Sequence, residues 1–233
     1  MTRFVSKVAV ALIALAGAAG AANAQEVLAS FSYDSLSGSY VASSSTTGNF
    51  TAAAVNGALT TGGFFQRTIG PIGTADFPEG FVSDANPANI LLTMAINKTS
   101  ATTADGLGTI VITDIDGDTF TATINGVNDL GTPQTEGWIQ IAPGFAAFSG
   151  ALSNIVFNTD DGQFNGYTGG WSLPLPADQL EGAIVNLMIG GGSNFFNTSY
   201  SGRAVGVSGQ IVPAPGVIAL LGLGGLAAGR RRR

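Results

Sequence analysis

Short apolar stretches alternate with Gly, Ser, Thr and Asn through most of this 233-residue chain. The clearest lies in residues 108–126, where Phe120, Ala122 and Ile124 are separated by threonines. A strict apolar–polar alternation places every second side chain on one buried face of a strand. This stretch therefore predicts a β-hairpin with one face in a core and an Asp- and Gly-containing turn.

Similar patterns recur at a regular spacing and predict further strands. They cover residues 26–33, 50–55, 64–69, 90–97, 137–142, 155–158, 184–189 and 204–212. Residues 37–48 are rich in serine and predict a mobile connection, whereas residues 177–182 predict one short helix. Because no long helical periodicity is present, we predict an all-β fold, an antiparallel β-sandwich or jelly roll, flanked by one helix at each end of the chain.

The first 24 residues have a different character. Arg3 and Lys7 precede an uncharged apolar run over residues 8–22, and the run ends in Ala22-Asn23-Ala24. A basic start, an apolar middle and a small-residue exit are typical of a secretory signal peptide. We predict a signal helix over residues 1–24 that signal peptidase removes, and a domain over residues 25–210.

Residues 211–233 form a tail with three parts. The first is a proline-containing motif, an uncharged run over residues 217–229 follows, and four arginines come last. The motif consists of Val212, Pro213, Ala214, Pro215 and Gly216, and the arginines are Arg230, Arg231, Arg232 and Arg233. This layout resembles the PEP-CTERM sorting tail of exported bacterial proteins, although Ala214 stands where that family usually has glutamate.

The resemblance implies processing by an exosortase-like membrane transpeptidase and display outside the cell, often by bacteria that produce exopolysaccharide. The arginines independently favour a cytoplasmic position for the end of the tail, because such charges cross a bilayer at high cost. As a helix, the uncharged run spans only about 20 Å, against a hydrocarbon core of roughly 30 Å. We therefore expect a C-terminal hydrophobic helix that anchors the chain in the inner membrane transiently.

Charge and composition exclude several functions. All fifteen acidic residues lie between Glu26 and Glu181, and with three basic residues the region 25–212 has a net charge of −12. Such a surface repels phosphate backbones, so we expect no nucleic-acid binding. Cysteine and histidine are both absent, which excludes disulfides, thiolate metal sites and Ser-His-Asp catalysis.

One group of carboxylates has the spacing of a calcium loop. Asp114, Asp116 and Asp118 surround Gly117, and alternating oxygens on a tight turn can converge on one hard cation. The EF-hand pattern is not met, because Asn125 stands where its bidentate acidic ligand would be. Turn formation by Asp and Gly explains the same residues without a metal, so a calcium site and a plain turn both stay open.

Three aromatic residues are candidates for a sugar-binding platform, because flat rings stack on the apolar faces of pyranoses. They are Trp138, Tyr167 and Trp171. Core packing is the alternative for each ring, since an aromatic side chain on a strand buries a large apolar area. A glycosidase needs two carboxylates about 5 to 10 Å apart, and the spacing of the glutamates singles out no pair.

These features predict an exported, non-catalytic protein of the cell surface or extracellular matrix, without a cofactor unless calcium binds. The alternative is a secreted carbohydrate-binding module, with or without calcium. A glycan-active enzyme is the more distant reading, because the chain offers no catalytic motif.

Overall fold

The computed structural model describes residues 27–54, 64–67, 74–76, 90–113, 119–127, 136–158, 164–166, 169–171, 180–190 and 194–214. These residues form thirteen β-strands and one turn of 3-10 helix, Asn194–Phe196. The strands are β1 Ala29–Ala42, β2 Thr47–Ala54, β3 Phe64–Arg67, β4 Thr74–Asp76, β5 Ile90–Lys98, β6 Thr103–Thr113, β7 Thr119–Gly126, β8 Gly137–Ala142, β9 Phe145–Asn158, β10 Phe164–Gly166, β11 Gly169–Trp171, β12 Leu180–Ile189 and β13 Tyr200–Pro213. The predicted all-β class is confirmed, and the strand pairings in this part of the chain are antiparallel.

Eleven of the described strands belong to one sheet that closes on itself. Around it, β13, β12, β9, β7, β6, β5, β2 and β1 follow one another, and β1 then pairs with β13. The closing pair sets Ala29 opposite Ile211 and Tyr40 opposite Tyr200. Closure gives each of these strands a partner on both sides, which removes the exposed edges of an open sheet. This pairing does not confirm the predicted sandwich or jelly roll.

Two short strands fill the sheet where a long strand extends beyond its neighbour. β8 continues the row of β7, because β6 pairs with β7 over residues 106–113 and with β8 at Thr103 and Ala104. In the same way, β1 pairs with β2 over residues 36–42 and with β3 over residues 29–32. β4 lies beside β3, and β10 and β11 form a separate two-stranded sheet.

Side chains alternate between the interior and the outer face of the closed sheet. In β7 the predicted pattern is confirmed, because Phe120, Ala122 and Ile124 are buried while the threonines beside them are half-buried. The buried side chains form one cluster that extends across the strands of the sheet. Each large apolar side chain of this kind contributes about 1.5–3 kcal/mol by its removal from water, so the interior is the main source of stability.

Glycines on the inner face make room for aromatic rings. A Cβ atom on Gly126 would lie 2.4 Å from the ring of Phe148, and one on Gly106 would lie 2.8 Å from the same ring. A Cβ atom on Gly209 would lie 2.2 Å from Cζ of Phe31. The rings therefore lie directly on the backbone, and this pairing of small with large residues fills the limited space of a closed sheet.

The aromatic rings form two groups along the interior. The first group, near the start of β1 and the end of β13, contains Phe31, Tyr33, Phe65, Phe120 and Phe157. The second group, near the opposite end, contains Tyr40, Phe50, Trp138, Phe148, Phe195, Phe196 and Tyr200. Neighbouring ring centroids within each group lie 5.0 to 6.4 Å apart, mostly tilted or edge-on, which are favourable geometries for such pairs.

The mobile connection expected at residues 37–48 is wrong. Residues 37–42 continue β1, residues 47 and 48 begin β2, and only a short turn separates the two strands. Tyr40 explains the difference, because its ring is fully buried and anchors this part of β1 in the core. The serines alternate with it and occupy outward positions, where small polar side chains fit a strand.

The short helix expected at residues 177–182 is corrected by strand β12. Within residues 177–182, the described part from Leu180 onward is strand β12 rather than helix, because Leu180 pairs with Pro213 at the end of β13. β13 therefore continues past residue 210. It ends at Pro213, and Ile211 is fully buried, so this end of the strand packs into the core.

Because Phe31 packs directly on Gly209, a single methyl group added at residue 209 should lower the stability of the fold markedly. Gly209→Ala would place its Cβ 2.2 Å from Phe31, whose ring is itself stacked on Phe65 at 6.0 Å. We expect a loss of about 1–3 kcal/mol in the free energy of unfolding, measured by urea denaturation.

Gly206→Ala is the matched control on the same strand, because the nearest atom to its Cβ is 3.8 Å away. It should leave stability unchanged or raise it by up to about 1 kcal/mol. Equal effects of the two substitutions would contradict the packing of Phe31 on Gly209.

Candidate functional site

The two ends of the folded domain lie side by side. Ala29, the first residue of β1, is opposite Ile211, and the backbone N–H of Leu28 donates to the carbonyl oxygen of Ile211 at 2.8 Å. Since the two strands are antiparallel, the chain enters and leaves the closed sheet at the same end. The segments before residue 27 and after residue 214 therefore start from adjacent positions.

The predicted sorting motif begins inside the sheet. Val212 lies opposite Glu181 and Pro213 opposite Leu180, at the last two positions of β13. Ala214 follows the strand and is half-buried. A proline at the end of a strand is well placed, because it has no N–H to donate and the ladder stops there. The other residues of the predicted tail, Pro215, Gly216, Arg230, Arg231, Arg232 and Arg233, lie outside the described residues, as do residues 217–229.

The aspartates proposed for calcium also lie outside the described residues. The structure fixes the two strands that flank them, with Thr113 opposite Thr119, so the expected hairpin is confirmed. Asp114, Asp116 and Asp118 belong to the connection between these two threonines. Within the described part of the chain, no group of three or more acidic, cysteine or histidine side chains is arranged to hold a metal ion.

Trp138 is a core residue and not part of a sugar-binding platform. Its side chain is fully buried, and its ring meets Phe50 and Phe196 edge-on, at centroid distances of 5.4 and 5.1 Å. The sequence is compatible with either core packing or sugar binding for Trp138, and the burial of its side chain shows that it packs in the core. For Trp171 the structure gives the strand β11, with Phe164 as its partner, but not the side chain, and Tyr167 lies outside the described residues.

A strained aromatic turn at the far end of the domain was not expected from the sequence. Asn194, Phe195 and Phe196 have φ angles of 43°, 41° and 59°, a region that bulky side chains rarely adopt. Both phenylalanines are buried, and such strain persists only where packing fixes the backbone. The ammonium group of Lys98 lies 5.9 Å from the Phe195 ring and donates to the side-chain oxygen of Asn197. The turn therefore covers the end of the closed sheet opposite the chain ends.

Two tyrosines beside this turn place hydroxyl groups in the apolar interior. The ring centroids of Tyr40 and Tyr200 are 5.7 Å apart, and neither hydroxyl has a hydrogen-bond partner among the described residues. Burial raises the pKa of both phenols, and for Tyr200 the neighbouring Tyr40 raises the pKa further while Arg203 lowers it. Both rings thus remain neutral at physiological pH.

A shallow pocket of about 340 Å³ lies on the outer face of β2, β5 and β6. It forms around Ala95, whose small side chain lies between Asn49 and Leu107 on the neighbouring strands. Asn97 and Asp105 face each other across β5 and β6 and add polar groups beside it. Amide and carboxylate groups next to an apolar surface suit a ligand that has both hydroxyl groups and C–H faces. Three strands contribute to this pocket, so no local sequence motif indicates it.

No family model matches this chain, and no curated protein or solved structure is similar to it. Among the described residues, no helix has the length and hydropathy needed to cross a membrane. The tail helix expected at residues 217–229 is not among those residues.

The buried tyrosines predict a loss of stability at alkaline pH. The folded-state pKa of Tyr200 lies above the ordinary value of 10.0, whereas the unfolded chain ionises near about 10. The contribution of neutral Tyr200 to the free energy of unfolding is therefore complete below pH ~10, and it is lost as the pH rises towards the folded-state pKa. We expect the urea midpoint to fall between about pH 9 and about pH 11, and Tyr200→Phe to reduce this fall.

The double variant Tyr40→Phe and Tyr200→Phe tests whether these two rings, rather than other groups that titrate at high pH, cause the alkaline loss of stability. It should reduce the alkaline loss further and leave the neutral protein at least as stable, because it removes two hydroxyls without partners. An alkaline loss equal to that of the unsubstituted protein would contradict the assignment.

Proposed function

We propose that this chain is an exported, non-catalytic protein of the cell surface or extracellular matrix, sorted through its C-terminal tail. The observation that carries the proposal is the pairing of β1 with β13, which sets the first and last strands of the described domain side by side. A signal peptide at one end and a sorting tail at the other would then leave the same surface. The rest of the domain faces away from the membrane that holds them.

The short distance between the fold and both processing segments supports this arrangement. The predicted mature chain starts at Gln25, and Leu28 is already buried and bonded to Ile211. At the other end, the predicted motif begins at Val212, inside β13. Removal of both segments would leave the closed sheet intact apart from the last residues of β13, as expected of a surface module.

Because buried side chains fill the interior of the domain, we place its function on the outer surface. The largest fully buried side chains are aromatic, and some of them, such as Phe31 and Phe148, lie on glycines of the inner face. Outward positions of the central strands combine polar groups with exposed apolar side chains such as Leu107. Thr93 and Thr109 are an example of the polar groups, with hydroxyl oxygens 3.0 Å apart across β5 and β6. Such a surface suits contacts with a hydrated, neutral matrix better than covalent chemistry.

The pocket around Ala95 favours a second candidate function, a secreted carbohydrate-binding module. Of the three rings expected to bind sugar, Trp138 does not support it, because its side chain is buried. Support comes instead from the side chains of Asn49, Asn97 and Asp105 beside the apolar Leu107. A neutral polysaccharide fits this chemistry and is compatible with an acidic protein, whereas an anionic one would be repelled.

Intact mass of the exported product tests the sorting proposal. The full chain is produced in a bacterium that carries the sorting machinery, and cell fractions are compared with a variant in which Arg230 to Arg233 are replaced by serine. We expect a surface product that starts at Gln25 and lacks the arginines, and loss of correct sorting in the variant, because the arginines hold the tail at the cytoplasmic side. A membrane-bound product that retains Arg233 would sink the proposal.

Titration with soluble neutral polysaccharides tests the second candidate. If the pocket binds them, the double variant Asn97→Ala and Asp105→Ala should weaken binding by about tenfold or more, the equivalent of about 1.4 kcal/mol. Asn186→Ala is a matched control, because this exposed residue lies on β12, away from β2, β5 and β6. Equal binding by all three proteins would exclude the pocket.

A further inference from the structure

Three polar side-chain atoms lie in the part of the interior that the Asn194–Phe196 turn covers. They are the hydroxyls of Tyr40 and Tyr200 and the indole N–H of Trp138, and none of them has a hydrogen-bond partner among the described residues. Tyr40 and Trp138 are fully buried, and Tyr200 is half-buried. A buried donor without an acceptor lowers stability by the free energy of its desolvation. Three such donors in one place point to a molecule that accepts their hydrogen bonds.

The ring of Phe196 lies among these three side chains. Its centroid is 5.0 Å from the ring of Tyr40, 5.1 Å from the ring of Trp138 and 6.4 Å from the ring of Tyr200. Phe196 therefore supplies the apolar surface that its neighbours need, but its side chain has no oxygen atom to accept their hydrogen bonds. An aromatic molecule with oxygen atoms on its rim would supply both.

The positions of two of the donors indicate the size of such a molecule. The hydroxyl oxygen of Tyr40 would lie 2.4 Å from a Cβ atom on Gly48, and the indole nitrogen of Trp138 would lie 2.9 Å from one on Gly106. Both glycines lie opposite Ile96 of β5, so two strand spacings of ~4.8 Å place the two donors roughly 10 Å apart. With a hydrogen bond of about 2.9 Å at each end, the accepting oxygens would be roughly 4 Å apart. This distance is close to the span of one substituted ring.

The segment that carries Phe196 is suited to open. Its three turn residues have φ angles of 43°, 41° and 59°, so opening would release backbone strain. Two side-chain hydrogen bonds join the segment to neighbouring strands. The N–H of Ala42 donates to Oγ of Ser199 at 3.0 Å, and the ammonium group of Lys98 donates to Asn197. These bonds can break without disturbing the strand pairing of the closed sheet.

We propose that this end of the interior is a binding site for a small neutral aromatic molecule with oxygen acceptors, which takes the place of the Phe196 ring. The ring of the ligand would pack between Tyr40 and Trp138, and its oxygens would accept hydrogen bonds from the three donors. The ligand is neutral because burial of an unpaired charge in this apolar region is costly. The site is separate from the outer surface that serves the proposed matrix role, and it does not depend on sorting of the chain.

Titration with a matched pair of probes tests the site. The probes are 1,4-dimethoxybenzene and 1,4-diethylbenzene, in which CH2 groups replace the two ether oxygens. The ¹⁵N-labelled full chain is used, and the indole N–H resonance of Trp138 is identified in a Trp171→Phe variant, because the chain has two tryptophans. We expect 1,4-dimethoxybenzene to shift this resonance saturably as the N–H gains an acceptor. The absence of a saturable shift would overturn the proposal.

The double variant Tyr40→Phe and Tyr200→Phe tests the role of the two hydroxyls. It should weaken the binding of 1,4-dimethoxybenzene by about five- to tenfold and leave the binding of 1,4-diethylbenzene unchanged, because only the ether oxygens accept hydrogen bonds. A purely structural role of the tyrosines would change the binding of both probes alike. An equal change for the two probes, or no change for either, would therefore overturn the proposal.

A second pair of variants tests whether the ligand replaces the Phe196 ring. Phe196→Ala should tighten the binding of 1,4-dimethoxybenzene, because the ligand no longer has to displace a ring. Phe157→Ala removes a ring from the other aromatic group, beside Phe65 and Phe120, and should leave binding unchanged. Tighter binding in both variants would indicate a general loosening of the core and contradict the proposal. Should Phe196→Ala fail to fold, the tyrosine variant decides.

Discussion

The pairing of the first strand with the last is the interaction on which the rest of this structure depends. Without the contact between β1 and β13, the sheet would have two long exposed edges and an interior open along one side. With it, inward side chains of eight strands face a common core. The same contact also sets the first and last described strands side by side, so the stability of the domain and the position of its two ends have one cause.

Closure limits the volume of the interior, and the sequence fills this volume by combining large aromatic residues with glycines. Large aromatic rings need space that a full set of side chains would not leave, and glycine supplies that space under Phe31 and Phe148. The abundance of glycine, 34 residues in all, is thus only in part a matter of turns. The strained turn at Phe195 and Phe196 adds two more rings where the strands end.

Local pattern was enough to predict the all-β class and many of the strands, because alternation is a property of neighbouring residues, but it missed the strand in residues 37–42, 145–154 and 180–182. The hairpin of β6 and β7 and the bounds of β8 followed from it directly. Closure could not be predicted in this way, since Ala29 and Ile211 meet only through the whole topology. The burial of Trp138 also depends on distant partners such as Phe196, and the serine-rich part of β1 is ordered by the buried Tyr40. The pocket needs three strands in register, which no single segment reveals.

The position of β13 has a mechanical consequence. If the domain is attached through the end of this strand and loaded elsewhere, the pull runs along β13. In antiparallel pairs the hydrogen bonds are perpendicular to the strands, so this force would shear the bonds to β1 and β12 together rather than open them one at a time. A strand held on both flanks is a suitable point of load for a tethered protein. The strand pairing that closes the sheet would therefore also resist a pulling force on the end of β13.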